Sequence, residues 1–210
     1  MNKIDYQIVP LFSSPLFIKD DVIANPEEVE HLKSLEMVRM SSNNGDYTKD
    51  KYVLNDPKVS NLKNTILNNV YKFTFDELKV SNEVEFYLTN SWVVRHRKMD
   101  WAQQHVHTNS ILSGIYYIDV GEKSGKLNFI KETSNLTVFP IHMDLSFREC
   151  NILNSRVWTF LPKNNQLFIF PPWLLHSVEK NMSDKLRYSL AFNVYIKGKI
   201  GRNEFQLEIK

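Results

Sequence analysis

The hydrophobic period of this chain changes near residue 84, and that change limits the folds open to it more than any other feature. Beyond it, apolar residues alternate with polar ones, first at Phe86 and Leu88, then at Trp92 and Val94. Further short strands read at 111–119, 126–131, 135–139, 145–149, 157–161, 166–170, 176–179 and 186–196. Turn signals separate them: Gly121, Ser124-Gly125, Pro140, Asn164-Asn165, Pro171-Pro172 and Ser183-Asp184. A period of two is the mark of half-buried strands, and Gly, Pro and Asn between runs close each one. Seven or eight short strands at this spacing predict a sandwich or a barrel-like jelly roll.

The first part of the chain reads as helical. In Asn25-Pro26-Glu27-Glu28, Asn can cap, Pro suits the first turn and Glu28 can close a capping box. Val29, Leu32 and Leu35 then recur at helical spacing. Asp56-Pro57 opens a second helix with Val59, Leu62, Ile66, Val70 and Phe73 on one face. Residues 41–50 are polar and Asn/Gly-rich, which predicts a loop. No linker or internal repeat divides the 210 residues, so a single domain is expected. It would be mainly β, with a helical N-terminal part (1–82) packed on the outer face of a β region (83–200).

Charge and composition exclude several classes. A formal net charge of +2 does not argue for nucleic acid. Cys150 is the only cysteine, which rules out an intramolecular disulfide and a zinc ribbon and fits a reducing cytoplasm. The first residues lack an apolar signal core, and no apolar run approaches the ~18 residues of a membrane span. A cytoplasmic protein is expected, or one of the host cytoplasm if phage-encoded, and a homo-oligomer is compatible with the sequence.

Chemistry is concentrated in the histidines. In an extended His105-Val106-His107 segment, both imidazoles point to one face. His176 follows the apolar run Leu167-Phe168-Ile169-Phe170 and the corner Pro171-Pro172-Trp173, so it opens a new strand and can supply a third ligand. Imidazoles suit Fe, Zn, Cu and Ni alike. His31, His96 and His142 are read as ordinary surface or structural residues, with His96 inside the basic run Arg95-His96-Arg97-Lys98 on a solvated face.

The last long strand adds a second feature. Leu186, Tyr188, Leu190, Phe192, Val194 and Ile196 share an apolar face, while Arg187, Ser189, Ala191, Asn193 and Tyr195 share the other. The second face suits a cavity wall. A buried Arg needs an anionic partner, either a bound carboxylate or a structural acid such as Glu179.

Taken in order, His105-Val106-His107, Leu112-Ser113-Gly114-Ile115-Tyr116-Tyr117-Ile118, Gly125-Lys126-Leu127, His176 and Arg187-Tyr188-Ser189 resemble the 2-oxoglutarate/Fe(II)-dependent dioxygenase superfamily. Over residues 92–196 the likeness is to prolyl-4-hydroxylase-like members. His-x-His followed by Leu-Ser-Gly-Ile-Tyr-Tyr, with a late Phe-Pro-x-Trp-Leu-x-His, is similar to a group of little-characterised oxygenases common in marine bacteria and phages. The resemblance implies a double-stranded β-helix (a cupin-like jelly roll), Fe(II), and 2-oxoglutarate as co-substrate. It makes His105 and His176 iron ligands, sets Arg187 and Ser189 at the far carboxylate of 2-oxoglutarate, and brings Tyr117 to the same carboxylate. By alternation Ser113 shares the face of Tyr117 and would line the same co-substrate pocket. The family's carboxylate ligand is replaced by His107, which either ligates as a third histidine or leaves its place to water.

The implied reaction is hydroxylation of an unactivated C–H bond with release of succinate and carbon dioxide. The substrate would be a peptide side chain, a nucleobase or a small metabolite. Trp92, Trp101, Phe139 and Trp173 are candidates to wall its entrance, and segments 41–50 and 133–146 to cover it. Three other readings compete: a three-histidine iron dioxygenase that needs no 2-oxoglutarate, a catalytic zinc site, and a non-enzymatic jelly-roll module.

Overall fold

The computed structural model describes residues 7–40, 45–131 and 145–210. Among them the chain runs β1 (Phe17–Lys19), α1 (Pro26–Ser34), β2 (Met37–Arg39), β3 (Asp46–Thr48), α2 (Ser60–Tyr71), β4 (Val84–His96), β5 (Ala102–His105), β6 (Leu112–Asp119), β7 (Leu127–Ile130), β8 (Val157–Phe160), β9 (Leu167–Phe170), β10 (His176–Val178), β11 (Arg187–Ile200) and β12 (Leu207–Ile209). The architecture is mainly β, as the alternating pattern predicts. No described helix is long and apolar enough to cross a membrane.

Both helix starts are tied to one carboxylate. Asn25 is extended and Pro26 opens α1. The buried Glu28 accepts from Asn25 N at 3.0 Å through Oε2 and from Leu62 N, in the first turn of α2, at 2.8 Å through Oε1. A carboxylate suits a helix N-terminus because it satisfies free N–H groups and meets the positive end of the dipole. Asp56 accepts from Lys58 N at 2.9 Å ahead of α2. The expected face of Val59, Leu62, Ile66, Val70 and Phe73 is buried throughout.

The strands form two sheets. The larger has the order β1-β9-β6-β11-β4-β3-β2, with β12 beside β11; the smaller has the order β5-β10-β7-β8. Helix α2 covers one face of the larger sheet through Phe86, Leu88, Tyr116, Ile118, Leu167, Leu190 and Val194. The other face meets the smaller sheet through Ile115, Tyr117, Phe168, Phe170, Leu127, Phe129 and Val178. Strand alternation explains the split: on β6 and β9 successive residues go to opposite cores, so both strands read as continuous apolar runs. Gly114 is required at its position because Phe192, its partner on β11, lays its ring where a Cβ would be.

The structure corrects some expectations. Within the expected 41–50 loop, Asp46–Thr48 is strand β3, paired with β4. Its polar sequence hides this because Asp46 is buried against three arginines: Arg95 at 2.8 Å, Arg97 at 3.0 Å and Arg39 at 3.3 Å. Residues 145–149 form no strand and are exposed. The strand expected at 135–139, with Phe139 and His142, lies outside the described residues.

Candidate metal centre

Strand pairing brings the histidines together. β10 lies antiparallel to β5 with His176 directly opposite His105, and their ring centroids are 4.2 Å apart. His107 lies two residues past β5, where its N–H donates to Pro172 O at 2.9 Å in the corner before β10. Its ring centroid is 5.5 Å from that of His105 and 5.2 Å from that of His176. One nitrogen from each ring lies within 4.8 Å of the other two.

Hydrogen bonds determine which nitrogens face inward. His105 Nδ1 meets Gln103 O at 2.8 Å and His176 Nδ1 meets Leu174 O at 2.8 Å. A carbonyl only accepts, so each Nδ1 carries the proton and each Nε2 keeps its lone pair. His107 Nδ1 lies 2.8 Å from Asn193 Oδ1 and takes the same form. His176 Nε2 is buried with no hydrogen-bond partner. An orphaned lone pair among three alike is what a metal ion would satisfy, so the residues fit one. Burial, reinforced by His105, lowers the His176 pKa to about 3, and burial lowers that of His107 to about 4. Both are therefore in the neutral, ligating form near pH 7.

A buried cation lies on the larger sheet. Arg187 opens β11 and is 1% exposed. Its Nη1 donates to the carbonyls of Ser124 and Glu179, and its Nη2 has no partner. Gly125 makes this carbonyl pair reachable: the chain approaches Glu179 so closely there, at φ +87°, that no side chain would fit. The Glu179 carboxylate turns away to Lys126 N (3.2 Å) and Asn128 (3.4 Å), so it is not the structural partner considered for Arg187. Tyr117 points a buried, unpartnered hydroxyl into the same region, and burial pushes its pKa up to about 12, so it remains a donor. Ser189 pairs with Tyr117 across β11 and β6. An unneutralised buried guanidinium beside an unused phenol fits a carboxylate ligand.

The family described as "Putative 2OG-Fe(II) oxygenase" matches residues 90–193, a span that holds all three histidines and Arg187. The chain belongs to the 2OG-Fe(II) oxygenases. Solved structures of this family share its fold at low identity. HygX from Streptomyces hygroscopicus, solved with nickel, 2-oxoglutarate and hygromycin B bound, is similar at 13% identity and TM-score 0.58, over 86% of this chain and 82% of that one. The α-ketoglutarate-dependent epimerase SnoN from nogalamycin biosynthesis gives 14% identity and TM-score 0.61, over 88% and 80%. A prolyl hydroxylase from Trichoplax adhaerens, in complex with a hypoxia-inducible-factor peptide, gives 9% and 0.55, over 86% and 83%. No curated protein matches the chain.

Two residues of this oxygenase stand elsewhere than the sequence suggested. Ser113 is not beside Arg187: its hydroxyl donates to Asn193 Oδ1 at 2.7 Å, near His107. His96 is not solvated but 2% exposed, directly opposite Arg187 on β4, and burial, then the charge of Arg187, lower its pKa to about 3. Alternation on β4 turns its basic neighbours Arg95 and Arg97 to Asp46 while His96 faces inward. The sequence marks Asn193 only as one of the residues on the face of Arg187 and gives no signal for Asn90.

A cavity of about 450 Å³ opens beside His105 and His107. Its other walls include Asn90, Trp92, Thr108, Asn109 and Tyr52. Trp92, expected at a substrate entrance, stacks on His107 with centroids 5.9 Å apart. Trp101 instead lines a separate groove with Met182, and Trp173 is 59% exposed.

Proposed function

We propose that this oxygenase uses Fe(II), O2 and 2-oxoglutarate to hydroxylate a C–H bond of an uncharged small molecule or peptide side chain. Its scaffold would be a double-stranded β-helix. His105, His107 and His176 would hold iron through Nε2, and Arg187 with Tyr117 would hold the far carboxylate of 2-oxoglutarate, with Ser189 beside them. When bound, iron and 2-oxoglutarate supply the oxidising power for C–H hydroxylation, with succinate and carbon dioxide as by-products.

The protein's part is orientation and exclusion of water. Arg187 offers Nη2 and Tyr117 its hydroxyl from fixed strands, so a dicarboxylate is aligned by donors that need not reorganise. Both groups are about 1% exposed, which strengthens their grip on an anion. The substrate would enter the 450 Å³ cavity, whose lining has no Lys, Arg, Asp or Glu among the described residues. A charged group placed there would lose hydration without a partner, hence the expectation of an uncharged reacting portion.

The carrying observation is the combination of three Nε2 lone pairs gathered at the β5–β10 edge of the smaller sheet with a buried, unpaired Arg187 Nη2 on β11 of the larger one. The test is anaerobic reconstitution with Fe(II) and 2-oxoglutarate, read by the visible charge-transfer band and, after oxygen is admitted, by succinate. A band and succinate absent from a His176→Ala control are expected; their absence from the wild-type protein refutes the reading. His107 in the place of a carboxylate favours one rival, a three-histidine dioxygenase that consumes oxygen without 2-oxoglutarate. Oxygen uptake with no succinate would decide for that rival, which leaves Arg187 unexplained.

A further inference from the structure

We infer that Asn193 is a positioning residue for the metal centre, whose side-chain oxygen holds His107 with Nε2 turned to the metal. This rests on the reading of His105, His107 and His176 as a metal site. His105 and His176 have their Nδ1–H groups anchored by backbone carbonyls. His107 alone depends on a side chain for this.

The fold aims Asn193 at its task. The β11–β4 register slips between Phe192, opposite Ser91, and Val194, opposite Leu88, so Asn193 faces both Thr89 and Asn90. Such a bulge, two residues against one, re-aims side chains and is common beside functional sites. Thr89 Oγ1 donates to the Asn193 carbonyl at 3.2 Å. The residue is 4% exposed, and both polar atoms of its side chain are bonded. Its Oδ1 accepts from His107 Nδ1 at 2.8 Å and from Ser113 Oγ at 2.7 Å, and its Nδ2 donates to Asn90 Oδ1 at 2.8 Å. Turning the amide over would set Asn193 Oδ1 against Asn90 Oδ1 and lose the bond between them, so Oδ1 stays toward His107. Stacking on Trp92 holds the plane of the imidazole. It does not choose which edge of the ring faces the metal, because a half-turn about Cβ–Cγ keeps the stack while putting Cε1 in the place of Nε2. Asn193 makes that choice. A ligand's hydrogen-bond partner of this kind commonly contributes about 10–100-fold to metal affinity.

The test uses Co(II) alone as probe, titrated into the metal-free protein and read by its visible bands, together with nitrogen-15 NMR of the histidine tautomers without metal. In the wild-type protein His107 is expected as the Nδ1–H form. Asn193→Ala should weaken Co(II) binding by about 10–100-fold and mix the two tautomers. Asn193→Asp keeps an acceptor and should keep both the tautomer and the affinity. In a His107→Ala background, Asn193→Ala should add no further loss, because its effect runs through that ring. An Nε2–H form of His107 in the wild-type protein, unchanged Co(II) affinity in Asn193→Ala, or additive losses in the double variant would each overturn the assignment. If Asn193→Ala does not fold, the tautomer in the wild-type and Asn193→Asp proteins decides. A wild-type protein that binds no Co(II) refutes the metal reading itself, while the metal-free tautomer still tests the role given to Asn193.

Discussion

Replacing Arg187 by Met should make the metal-free protein more stable and the enzyme worse. Arg187 is 1% exposed, has no carboxylate partner among the described residues, and leaves Nη2 unbonded. Burial lowers its pKa, a sign of how poorly the charge is accommodated. Taking such a charge out of water costs several kcal/mol, and an apolar side chain of similar volume often gains about 1–4 kcal/mol. Loss of the bonds from Nη1 to Ser124 O and Glu179 O works against that gain by about 1–3 kcal/mol. The midpoints leave a net gain of about 0.5 kcal/mol, or roughly 1–2 °C in melting temperature for a chain of this size. Binding moves the other way. Truncating one partner of a buried charge pair costs about 2–5 kcal/mol, which is a 30-fold or greater rise in the 2-oxoglutarate concentration required. Tyr117→Phe is the milder companion, with about a tenfold rise and no loss of metal-free stability. Thermal melts of metal-free protein and titration of 2-oxoglutarate into Co(II)-loaded protein measure the two effects. An Arg187→Met protein that melts markedly lower and binds 2-oxoglutarate normally would make Arg187 a structural residue and refute the reasoning.

Two further expectations concern stability. The folded pKa values of His96 and His176, about 3, and of His107, about 4, lie below the ordinary 6.5. The unfolded chain therefore binds more protons below pH 6.5, so the metal-free protein should lose stability as pH falls from 6.5 to 5, by about 1.4 kcal/mol per pH unit for each histidine. Urea midpoints that stay level over that window would mean that these rings are not buried as neutral groups. Gly114→Ala should cost about 1–3 kcal/mol or more by forcing the Phe192 ring aside, measured by denaturant unfolding; an unchanged midpoint would show that the ring moves freely.

The strands that carry the site were legible because their signal is local. The apolar runs at 111–119 and 166–170 and the two faces of β11 follow from side chains pointing to opposite sides of a pleated strand, and the corner Pro171-Pro172 marks the turn before His176. The His-x-His pair and Arg187 announced themselves by residue type. Strand Asp46–Thr48 did not, because its stabilising partners Arg39, Arg95 and Arg97 are distant in sequence and its own residues are polar.

What the sequence alone determined was therefore a mainly β chain carrying three histidines and one arginine suited to a metal and an anion. Only the tertiary structure decided how they act together. Register set His176 opposite His105 and His96 opposite Arg187, and a bulge in β11–β4 aimed Asn193 at His107. Those relations depend on how one strand slides against another, which no local pattern contains. The tautomer of each histidine follows from the acceptor that this pairing happens to bring to Nδ1.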